Sequence, residues 1–143
     1  MPKLIVISIA AVLITLVSCK ETDYSSYVYS SIVDNVPNYE CYDSIFIVPR
    51  TGCNSCKDLA DMIVKEKYKN KNNLVIFTDI QSKKLLYIEL GKEMFVQENV
   101  IIDEKKQFWQ QRFKEASYPI LVIREPNSSY QIHYMLDKLS PFN

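Results

Sequence analysis

The run Ile45-Phe46-Ile47-Val48-Pro49-Arg50-Thr51-Gly52-Cys53-Asn54-Ser55-Cys56-Lys57-Asp58-Leu59 constrains this chain more than any other stretch. It joins two periodicities. Ile45 to Val48 are consecutive apolar, mostly β-branched residues, the pattern of a short buried strand. Leu59, Met62 and Ile63 then recur at helical spacing, and nothing breaks the run before Asn70. Pro49 and Gly52 mark the turn between the two elements. Cys53 and Cys56 therefore fall at a strand-to-helix junction, with Cys53 at or just before the first helical turn.

That placement has chemical consequences. The first backbone N–H groups of a helix are unpaired and carry partial positive charge, which favours a thiolate over a thiol. Lys57 adds a cation nearby. A free cysteine titrates at about 8.5, and settings of this kind lower that to about 3.5–7.5. Cys56 lies one turn further on, within reach of a disulfide, so one thiolate can attack and the other can resolve. A zinc half-site has the same spacing but needs a second Cys or His pair. The chain offers only Cys41 and His133, far apart and unpaired, so no metal is expected. An inert structural disulfide stays open at this point.

With 143 residues the chain is long enough for one domain with a real core and too short for two. Lys plus Arg balance Asp plus Glu at 17 each, which gives no basic face for nucleic acid. His133, the sole histidine, falls on an alternating stretch and reads as a solvated or hydrogen-bonded side chain.

The N-terminus speaks to the compartment. Lys3 is its one charge, and Leu4 to Val17 is almost wholly apolar. That is shorter than the roughly 20 residues a membrane-spanning helix needs, and it suits a signal-peptide core. Leu16-Val17-Ser18-Cys19 follows directly and resembles the bacterial lipobox. The resemblance implies a signal peptide over 1–18 and lipidation of Cys19 as the first mature residue. The expected location is the bacterial cell envelope, anchored by lipid to the outer membrane, with the domain in the periplasm or at the surface. Cys41 is then left over, and burial is the expected state for such a thiol.

Residues 19–42 are expected to be a tether or extension. Its Tyr/Ser-rich part, 20 to 36, fits a tether, a short helix or an added edge strand, and Pro37 ends it. From Asp43 the order is clearer. A strand is expected over Ile45–Val48, a helix from Cys53 or Asn54 to about Tyr68, and a strand over Leu74–Phe77. A helix over about Ser82–Leu90, stopped by Gly91, and a strand over Val100–Ile102 come next. Lys105 to Ala116, with Phe108, Trp109 and Phe113, reads as a further helix. Tyr118–Arg124 and Tyr130–Met135 form the closing hairpin around Glu125–Ser129. Alternating strands and helices argue for an α/β domain with a mixed sheet flanked by helices.

Over roughly 43 to 139 this order resembles the thioredoxin fold, with residues 43–143 as the domain. Three features carry the resemblance: strand, CxxC, helix; a parallel crossover to Leu74–Phe77; and Tyr118-Pro119 opening the final hairpin about sixty residues after the cysteines. It implies that Cys53 is the exposed nucleophile, Cys56 the resolving cysteine, and Pro119 a cis-proline beside the disulfide. It further implies that Tyr118 and Gly52 meet an incoming substrate chain. Two departures stand out. Thr51 replaces the aromatic that usually precedes the Gly-Cys, and no acid lies within Ile45–Val48.

The reading that follows is membrane-anchored thiol–disulfide exchange. Its partners are protein thiols or disulfides and a redox partner protein, and it needs no cofactor. The alternative is a non-catalytic thioredoxin-like binding or assembly lipoprotein with Cys53–Cys56 as a staple.

Overall fold

The computed structural model describes residues 22–127 and 129–135. The expected signal peptide over 1–18 and the expected lipidation of Cys19 fall outside the described residues. Among the described residues, no helix is long and apolar enough to cross a membrane.

Five strands of the described residues form one mixed sheet: β1 (Ser44–Pro49), β2 (Asn73–Thr78), β3 (Val100–Ile102), β4 (Ile120–Arg124) and β5 (Tyr130–Tyr134). Their order across the sheet is β3-β2-β1-β4-β5. β1 pairs in parallel with β2, and β2 with β3, whereas β4 runs antiparallel to both β1 and β5. β1 is thus central, which explains why Ile45 to Val48 is apolar without alternation. A strand covered on both faces has no solvent side to signal.

Among the described residues, three helices cover the two faces: α1 (Tyr24–Asn35), α2 (Asn54–Lys67) and α3 (Lys83–Leu90). The sheet's period of two sorts the side chains between them. Ile45 and Ile47 of β1, with Leu74 and Ile76 of β2, pack against Val28 and Ile32 of α1. Phe46, Val48, Val75 and Phe77 face the other way, onto Ala60 and Val64 of α2 and Leu86 and Leu90 of α3.

Of the forms open to residues 20 to 36, the described part takes the helix. Asp23 caps α1 by accepting from the Ser26 N–H at 2.6 Å, and Val28 and Ile32 are each 1% exposed. Burying such aliphatic side chains is worth about 1.5–3 kcal/mol each. α1 is therefore part of the core.

Three expectations are corrected. No helix forms over 105–116. Lys106 sits in the left-handed region at φ 55°, which ends any right-handed helix there. Asp103 gathers the turn instead, accepting from the N–H groups of Gln107 at 3.0 Å and Phe108 at 2.9 Å. Only a short 3-10 turn, Lys114–Ser117, follows. Phe108 and Phe113 still reach the core, on the α1 side.

The second correction concerns Pro119. No peptide bond among the described residues is cis, so Tyr118–Pro119 is trans. Tyr118 is extended, at φ −108° and ψ 139°, the conformation favoured before a proline. Its N–H closes the preceding turn on the Glu115 carbonyl, and the Pro119 carbonyl accepts from Met135 N–H at 3.0 Å. The chain runs straight from turn to strand.

The third is Cys41, which is exposed rather than buried. It ends the 3-10 turn Tyr39–Cys41, whose neighbours Tyr39 and Tyr42 pack against the core. The thiol is what that packing leaves outside.

Candidate functional site

The site is built where β1 ends and α2 begins. Arg50 N–H donates to the Thr78 carbonyl at 3.0 Å, carrying the β1–β2 pairing one residue beyond the strand. The chain then turns through Gly52 at φ 108°, a conformation that side-chain-bearing residues rarely adopt. A Cβ at that position would stand 3.0 Å from the Ser117 carbonyl oxygen. Glycine is needed twice over, for the turn and for the close approach. That approach sets the cysteine loop against the residue that precedes Tyr118-Pro119.

Cys53 is the N-cap of α2, and its sulfur accepts from the Cys56 N–H at 3.2 Å. Ser55 Oγ is also 3.2 Å from that sulfur. The sulfur carries no proton in the disulfide, so the serine hydroxyl donates. Two donors and the positive end of α2 thus converge on Cys53, and the same arrangement stabilises a thiolate there. Cys53 is partly exposed, while Cys56 is 5% exposed. The two are bonded as a disulfide with Cα atoms 5.2 Å apart. One sulfur can be reached from outside and one is sheltered.

Charged side chains hold the loop on two sides. On the first, Arg50 is only 5% exposed and binds Asp61 of α2 through both terminal nitrogens. Its Nη2 also lies 2.6 Å from Glu89 Oε2 of α3. The guanidinium stands over the Phe77 ring at 5.7 Å. Lys57 Nζ approaches the other oxygen of Glu89 at 3.7 Å. The cation that Lys57 adds near the pair is thus itself partnered by Glu89.

On the second side stands Asp79, 4% exposed, just past β2. Its carboxylate accepts from Thr51 Oγ1 and meets Lys106 Nζ at 2.6 Å. No acid lies in β1, yet a buried carboxylate reaches the residue before Gly52 from the neighbouring strand. In the sequence Asp79 reads only as a turn or cap. Its one further mark is its place just past the apolar run Leu74–Phe77.

The remaining expected residues divide. Gly52, Cys53 and Cys56 come together. Tyr118 is 42% exposed at the mouth of this region, with its ring edge-on to Tyr134 at 6.4 Å. Pro119 is buried behind it. Cys41 precedes β1 whereas the pair follows it, so the length of a strand, about 20 Å, separates them. Cys41 cannot complete a metal site with the pair, and the described residues hold no cluster of three or more metal-binding side chains.

The chain matches no family model, no curated protein and no solved structure. The fold and site stand on their own geometry: a mixed α/β domain with a cysteine pair at the start of a helix.

Proposed function

We propose that this protein is a thioredoxin-like thiol–disulfide exchange protein that works through Cys53 and Cys56. The observation that carries the reading is the asymmetry of the pair. Cys53 is reachable and supplied with donors, and Cys56 is buried one helical turn behind it. The Cys53 thiolate attacks a substrate disulfide, forming a bond to one substrate sulfur and expelling the other as a thiolate, which takes up a proton. The Cys56 thiolate then attacks Cys53 sulfur, closes the Cys53–Cys56 disulfide and releases the second substrate thiolate. The substrate gains two electrons and the pair loses two. A redox partner protein with a dithiol resets the pair, and the reverse sequence oxidises a substrate dithiol. The exposed Tyr118 edge, beside Gly52, is where the substrate chain lies.

Cys19 carries a lipid that ties the domain to the envelope membrane. What supports this is the sequence Leu16-Val17-Ser18-Cys19 after an apolar core. Cys19→Ala is expected to leave the membrane fraction, and continued membrane retention argues against the anchor.

The exchange reading is tested with single substitutions of the pair, in a Cys41→Ser background that removes the exposed free thiol, and a disulfide peptide. Cys56→Ser is expected to accumulate a mixed disulfide on Cys53, and Cys53→Ser to accumulate none. A Cys56→Ser protein that captures nothing contradicts it. The competing reading, a binding domain stapled by an inert disulfide, is favoured by one observation. Arg50 and Lys57, on either side of the pair, are both fastened to Glu89.

A further inference from the structure

The eight residues from Arg50 to Lys57 contain both cysteines, and a single carboxylate on another element holds the two ends. Glu89 puts one oxygen 2.6 Å from Arg50 and the other 3.7 Å from Lys57. We propose that Glu89 is a positioning residue that sets the redox balance of the Cys53–Cys56 pair by occupying the two cations flanking it. The inference rests on the exchange reading given above.

A positive charge near the first turn of α2 adds to the helix's own partial charge and favours a thiolate on Cys53. A stabilised thiolate stabilises the reduced pair, which makes the pair a stronger oxidant. Glu89 opposes this by neutralising Lys57 and sharing Arg50.

The surrounding charges fix which effect dominates when Glu89 is lost. Arg50 keeps Asp61, so its buried guanidinium retains a partner and the fold is not left with a bare buried charge. Lys65 donates to the main-chain carbonyl of residue 89 at 2.9 Å, a bond that does not use the carboxylate. Asp58 and Asp61 line the same groove as Lys57 and Glu89, and both are already present in the native balance. Lys57 is the cation set free. Its side chain is 24% exposed, so its charge is only partly screened by solvent.

The test uses the full-length chain in detergent micelles and compares wild type, Glu89→Gln, Lys57→Met and the double variant. Thiolate absorbance of the phosphine-reduced protein gives the acidity of Cys53, and glutathione titration gives the equilibrium of the pair. Glu89→Gln is expected to raise the acidity constant three- to tenfold. The glutathione equilibrium is expected to move toward the dithiol by a similar factor, a tenfold move being about 30 mV. Lys57→Met is expected to move both the opposite way, and adding Glu89→Gln to it to bring both back toward wild type. Glu89→Gln that leaves the acidity unchanged, or lowers it, overturns the proposal. A wild-type pair that glutathione cannot open overturns the exchange reading instead. The acidity of Cys53 then still decides the role of Glu89.

Discussion

The two faces of the sheet are built on different principles. The α1 face is closed with rings and aliphatic side chains. Tyr27 stacks on Phe113 at 5.2 Å, Tyr24 tilts against the same ring at 5.5 Å, and Ile32 and Val28 fill the space beneath. Among the described residues no ion pair involves α1. The α2/α3 face has an aliphatic floor too, but at its rim Arg50, Asp61, Glu89 and Lys57 are joined around the cysteine loop. Both faces bury apolar side chains, and only the second sets charges beside the cysteines. Apolar burial is non-directional and indifferent to the state of a sulfur, whereas charges a few ångströms away are not.

That contrast can be broken by substitutions on either side. The largest effect is expected from Cys53→Ser, which abolishes exchange with a disulfide peptide. Its unfolding transition should stay close to that of the reduced wild type. A variant that retains exchange would move the nucleophile elsewhere.

Next in size is Ile32→Ala on α1, expected to lower stability by about 2–5 kcal/mol, since a fully buried aliphatic side chain leaves a cavity. Denaturant unfolding measures that loss. The acidity of Cys53 in the folded protein should not move, and if it does the faces are not independent.

Gly52→Ala sharpens the comparison from the other side. It forces a side chain into φ 108° and toward the Ser117 carbonyl, at a cost of about 1–3 kcal/mol. Unlike Ile32→Ala, it should also slow exchange at equal folded fraction, because it displaces the loop that bears the cysteines. Stopped-flow thiol exchange distinguishes the two.

The α1 face also has a pH signature. Burial, followed by the nearby Tyr134, Tyr27 and Glu115, raises the pKa of Tyr24 above its usual 10. The neutral phenol is thus favoured in the folded state. The corresponding stability is present below about pH 10 and is lost as pH rises through the native value. Tyr24→Phe should flatten the alkaline decline in stability. An unchanged decline would assign it to other groups.

The smallest effect is expected from Ser55→Ala, which removes one donor from the Cys53 sulfur. The thiol should become less acidic by less than tenfold, with no loss of stability.

How far the sequence speaks follows the same division. Packing was legible where it is periodic. The apolar run Ile45–Val48 and the stop at Gly91 each led to an element close to the observed one, whereas the spacing of Leu59, Met62 and Ile63 marked the helix but not its buried face, which is Cys56, Ala60 and Val64, with Met62 71% exposed. Residues 105–116 were misread as a helix because their order comes from the Asp103 side chain bonding to backbone N–H groups, which leaves no period behind. Of the aromatic residues there, Phe108 is buried and Phe113 packs partly buried against the core, whereas Trp109 belongs to neither core cluster.

At the site, Cys53, Cys56 and Gly52 were legible because a tight turn before a helix needs particular residue types. Glu89 was not, since it lies thirty-nine positions from Arg50 and meets it only through the packing of α3. Lys57 was read as a cation near the pair, and its partner Glu89 was not visible. Asp79 was hidden in the same way, because a carboxylate after β2 reaches Thr51 only once β1 and β2 pair.

The central claim is that Cys53–Cys56 is an exchanging pair, and its redox potential tests this most directly. The full-length chain in detergent would be equilibrated with glutathione buffers and its thiols counted by labelling and mass spectrometry. A potential between about −270 and −120 mV is the predicted result. A pair that stays closed, with a potential below about −300 mV, would contradict the account and leave a stapled binding domain.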